Sequence, residues 1–70
     1  MPKLPGVSHR AAVRALEKVD FYVHHDGKHT VMKRGTTTIT IPRHNPINAY
    51  TMGAIVRDAG LTIDQFKALL

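Results

Sequence analysis

Seventy residues and 7.8 kDa limit the chain to one small domain, expected to span residues 1–70. The absence of cysteine excludes disulfides and thiolate metal sites, and 43% apolar residues argue against disorder. Ten Lys and Arg against five acidic residues give a net charge of +5, which points to a polyanionic partner: nucleic acid, an acidic protein, or both.

Pro5-Gly6 is a turn signal, and Ser8 after it is a good N-cap. From His9 to about Lys18 the pattern is helical, with Ala12, Val13, Leu16 and Val19 on one stripe. Arg10, Arg14 and Lys18 recur every fourth residue and form a basic ridge, either a solvated face or a track for phosphates. Phe21 to His25 reads as a strand, Asp26-Gly27 as a hairpin turn, and His29 to Arg34 as a second strand. Gly35 marks the next turn, and Thr36 to Ile41 alternates as a third strand ended by Pro42. A polar loop follows over residues 43–50. Met52, Ile55, Val56 and Ala59 then give a helix closed by Gly60. Thr62 with Gln65 forms a capping box for a last short helix through Ile63, Phe66, Leu69 and Leu70. The expected fold class is α+β: an α-β-β-β-α order plus a short C-terminal helix, with a three-stranded antiparallel sheet covered by helices on one face.

The register decides which side chains meet. Three-residue loops, Asp26-Gly27-Lys28 and Arg34-Gly35-Thr36, place Phe21, Val23, Val31, Ile39 and Ile41 together on one face. Two-residue turns separate Val31 from Ile39. The first register is preferred because it offers the helices a wholly apolar sheet. It also sets His29 opposite His25 and opposite Ile41 near the end of the third strand, so that His25, His29 and His44 gather with Lys28 and Arg43.

Charge and histidine are concentrated in the same part of the chain. Residues 1–44 hold eight basic and three acidic side chains and all five histidines, whereas residues 45–70 hold two of each sign. Three imidazoles suit zinc, but the surrounding Lys and Arg repel a cation and no carboxylate except Asp26 is near, so no metal and no cofactor is expected. Histidine also suits metal-free RNA cleavage, which needs one group to deprotonate the 2′-hydroxyl and another to protonate the leaving 5′-oxygen. Lys28 and Arg43 then stabilise charge developing on the phosphate. Surface histidine in a basic protein is the plainer alternative. No apolar run nears the roughly 18 residues of a membrane span, and residues 1–6 lack the apolar stretch of a signal peptide, so a cytoplasmic protein with no membrane partner is expected.

Several segments in this order carry a family resemblance: the amphipathic first helix running into Phe21-Tyr22-Val23, Gly27-Lys28-His29, Thr38-Ile39-Thr40-Ile41-Pro42 with His44, and Ile55 to Thr62. Over nearly its whole length the chain resembles HicA-type toxins, the RNA-cleaving half of bacterial HicA–HicB toxin–antitoxin pairs. The resemblance implies a fold like that of double-stranded RNA-binding domains and an endoribonuclease acting on mRNA. It also implies catalysis by His29 and neutralisation by a cognate HicB-like antitoxin. The family often reads Gly-Ser-His-His where this chain has Gly27-Lys28-His29-Thr30, which leaves His25 or His44 as partner to His29. Arg10, Arg14, Lys18, Lys33 and Arg34 are the expected RNA contacts. The rival expectation is a non-catalytic double-stranded RNA-binding module, which needs the basic helix and no reactive histidine. A weaker third is a protein-interaction domain for an acidic partner.

Overall fold

Residues 6–70 are described by a computed structural model, in which each helix starts where the sequence offers a capping side chain. Ser8 accepts from the Ala11 amide to open α1 (His9–Glu17), and Asn48 accepts from Thr51 to open α2 (Ala49–Asp58). Thr62 and Gln65 exchange both bonds of the expected capping box to open α3 (Ile63–Leu69). Gly60 adopts φ 79° beyond α2, a left-handed position that favours glycine. Pro5 of the expected N-terminal turn, with the rest of residues 1–5, lies outside the described residues.

Strands β1 (Tyr22–Asp26), β2 (His29–Arg34) and β3 (Thr37–Pro42) form one antiparallel sheet in chain order. The expected α+β architecture is present: α1 and α2 pack against the sheet, and α3 packs against both of them. An isolated bridge between Val7 and Ile47 ties the approach to α1 to the approach to α2. The peptide bond between Asn45 and Pro46 is cis.

The register differs from expectation. Arg34 pairs with Thr37, so Gly35 and Thr36 alone turn the chain, with Gly35 left-handed at φ 58°. Thr30 therefore pairs with Ile41 and Met32 with Ile39 on the helix-covered face. Val31 turns to the open face, where it pairs with Thr40 on one side and His25 on the other. The expected Arg34-Gly35-Thr36 loop is thus corrected to Gly35-Thr36, the first loop shifts from Asp26-Gly27-Lys28 to Gly27-Lys28-His29 between the paired Asp26 and Thr30, and the all-aliphatic face is corrected with them. Met32 fills the central position completely and compensates for Val31. Phe21, Ile39 and Ile41 are buried as expected, while Val23 stays 40% exposed at the sheet edge. A bulge between Val23 and His25 lets β1 keep Val23 inward beside Met32 and still turn His25 outward.

The core over that face holds Ala12, Ala15 and Leu16 of α1 and Met52, Ile55 and Val56 of α2, and Phe66 of α3, which packs against these two helices, completes it. Thr30 is the one buried polar residue among those described, at 2% exposure. Its hydroxyl is satisfied by side chains at the end of the sheet that carries His29.

Candidate functional site

The open face of the sheet is built by alternation along three strands. His29, Val31 and Lys33 of β2 share it with Tyr22 and His25 of β1 and with Thr38 and Thr40 of β3. His29 is exposed and pairs with Pro42, not with Ile41 or His25 as the expected register had it. His25, paired with Val31, is instead the diagonal neighbour of His29, a relation that sets Cα atoms about 7–8 Å apart. The His25 ring lies over the turn: a Cβ built on Gly27 would stand 2.8 Å from His25 Nε2.

His44 lies in the loop beyond β3 and lines a shallow groove with Pro42, Ile47 and Thr51, toward the start of α2. His25 and His29 thus share the open face, and His44 stands on the adjoining loop two residues beyond Pro42, the sheet partner of His29. Among the described residues no three His, Asp or Glu side chains gather in a set that could hold a metal ion.

Arg43, after β3, turns back onto the β1–β2 turn. Its Nε donates to the Gly27 carbonyl at 2.8 Å and its Nη2 pairs with the Asp26 carboxylate. Both partners of this ion pair are about half exposed, so its net stabilisation is about 0–1 kcal/mol. Lys28 at the tip of the turn is exposed.

Of the expected RNA contacts, Arg10, Arg14 and Lys18 are exposed along α1. Arg10 and Arg14 border a groove of about 360 Å³ whose walls also include His9, Asp26, Thr30 and Arg43. Lys18 donates to the Leu69 carbonyl at 2.7 Å, at the C-terminal end of α3 where a cation is favoured. Lys33 stands on the open face between Tyr22 and Thr38. Arg34 faces the other way. It donates to the carbonyls of Val19 at 2.9 Å and Ala59 at 3.1 Å and stacks over the Phe21 ring at 4.5 Å.

Sequence reasoning missed His9. Its Nε2 lies 2.6 Å from Thr30 Oγ1, and Thr30 in turn donates to Asp26 Oδ1 at 3.1 Å. Burial, and secondarily the Arg43 charge, holds the His9 pKa below the ordinary histidine value. An inward Thr30 would have signalled a polar partner, but only the two-residue turn makes Thr30 inward.

The fold and this end of it define a small basic α+β domain with an uncovered sheet face, two exposed imidazoles on that face and a cationic helix behind it. The family described as HicA toxin of bacterial toxin-antitoxin matches residues 10–61, and the chain belongs to that family. Comparison with curated proteins finds no match, and comparison with solved structures finds none. Membership in a toxin–antitoxin family implies an antitoxin partner. No helix among the described residues is long and apolar enough to cross a membrane.

Proposed function

We propose that the protein is an endoribonuclease toxin that cleaves mRNA without a metal ion and is neutralised by a HicB-like antitoxin in the cytoplasm. The observation that carries this reading is the family match across the segment that contains Gly27-Lys28-His29. The open position of His29 beside His25 supports it. In the proposed reaction one imidazole removes the 2′-hydroxyl proton and the 2′-oxygen attacks phosphorus. The P–O5′ bond breaks, and a second imidazole, protonated, delivers its proton to the departing 5′-oxygen. The products are a 2′,3′-cyclic phosphate and a free 5′-hydroxyl, so no water is consumed in this step. His29 performs one transfer, and its diagonal neighbour His25 or the loop residue His44 performs the other. Lys28, and the part of the Arg43 guanidinium left free by Asp26, stabilise charge on the phosphate.

The test is growth on induced expression, wild type against His29→Ala. Wild type arrests growth and His29→Ala does not, while the variant accumulates as a folded protein. Truncating an exposed imidazole costs stability only within about ±0.5 kcal/mol. Arrest by both forms would contradict catalysis by His29. A chain that binds duplex RNA and leaves it intact would favour the non-catalytic module.

A further inference from the structure

The turn that carries His29 is held through Gly27 and Asp26. The Gly27 amide donates to the His29 carbonyl at 3.2 Å, and the Gly27 carbonyl accepts from Arg43. Asp26 holds Arg43 and accepts from Thr30, the residue directly after His29. Thr30 has a single hydroxyl hydrogen, and that hydrogen goes to the Asp26 carboxylate, which can only accept. His9 Nε2 must therefore carry the hydrogen between itself and Thr30 Oγ1. The His9 amide is fixed as well, donating to Asn45 Oδ1 at 2.9 Å. His9 thus joins the first residue of α1 to β2 and to the loop after β3.

We propose that His9 is a positioning residue for His29: by donating from Nε2 to Thr30 it completes the His9–Thr30–Asp26–Arg43 chain that fixes the turn. The inference rests on the catalytic reading of His29. His9 approaches Thr30 from the helix-covered side, whereas His29 stands on the open side, so His9 acts through the backbone of β2. The groups facing it are Asp26 from β1, Arg43 from the loop after β3, and Arg10, Arg14 and Glu17 along the α1 wall of the same groove. Burial, and then the Arg43 charge, lower the His9 pKa and so favour the neutral ring, in which Nε2 carries the hydrogen given to Thr30.

Side-chain nitrogen NMR of the free protein at neutral pH is expected to find His9 as the Nε2–H tautomer. His9→Ala is expected to speed amide exchange at Gly27 and Thr30. It is also expected to lower kcat on a labelled oligoribonucleotide roughly tenfold or more with KM little changed. His9→Gln, whose side-chain amide still donates to Thr30, recovers most of that rate. Should His9→Ala fail to fold, the tautomer and His9→Gln carry the test. An Nδ1–H tautomer, wild-type exchange and kcat in His9→Ala, or a His9→Gln as inactive as His9→Ala would each overturn the inference. The last would mean that His9 acts on RNA itself. Tautomer and exchange are read without RNA, so a fully active His29→Ala would overturn the proposed function and leave those two measurements to decide the inference.

Discussion

Arg34 ties three parts of the chain together through one guanidinium: Val19 after α1, Ala59 at the end of α2, and the ring of Phe21 before β1. In sequence it looks like one more cation for RNA. Its inward direction follows from the two-residue Gly35-Thr36 turn, which places Arg34 on the same face as Met32. Hydrogen bonds from a charged donor stabilise by about 1.5–3 kcal/mol each, and a partly desolvated cation–π contact adds about 1 kcal/mol. Non-additivity reduces the sum. Arg34→Ala is expected to lose about 2–4 kcal/mol in urea unfolding. Arg34→Lys should recover less than half, because an ammonium cannot reach both carbonyls and stack as well. A loss within about 0.5 kcal/mol would mark Arg34 as a surface side chain available to RNA.

At the scale of elements, the helices and strands were legible because their signals are local. Ser8, Thr62 with Gln65, and Gly60 mark helix ends within one turn of chain, and Asp26-Gly27 and Gly35 mark the hairpins. Register was not legible, because loops of two and three residues differ by one position and that position inverts a strand. Preference for an all-aliphatic face favoured Val31 over Met32. It failed because Met32 packs fully and because Thr30 is satisfied by His9, a partner twenty-one residues distant in the chain. For the same reason the pairing of His25 with His29 came out as a diagonal, and His9 did not emerge at all. The α1 ridge is a local signal, and its side chains are exposed as its spacing implies. If the ridge contacts phosphate, RNA affinity falls steeply with salt. Arg10→Ala and Arg14→Ala then each flatten the log–log slope by about 0.7–0.9, depending on strandedness. An unchanged slope in both variants would make the ridge a solvated face.

For the molecule as a whole, basic residues and histidines concentrate in residues 1–44, which supply α1 and the entire sheet. The neutral remainder supplies α2 and α3, which cover the core. An antitoxin that is acidic at its contact is captured fast by this asymmetry and raises the apparent stability of a small core by binding only the folded form. Amide exchange of free and antitoxin-bound protein is expected to show protection at Lys28, His29 and Arg43, with RNA competing for the free form. Protection confined to residues 50–70, with His29 still open to water, would mean inhibition from the helical side. The proposed cleavage, by proton transfer between imidazoles and the ribose–phosphate at this sheet end, is tested by incubating a defined oligoribonucleotide in excess EDTA with wild type and with His29→Ala and identifying the 3′ ends of the products by mass. Wild type is expected to leave 2′,3′-cyclic phosphate ends at a rate indifferent to chelator, and His29→Ala to leave no products. Activity lost to EDTA and restored by zinc, or equal cleavage by both proteins, would contradict it.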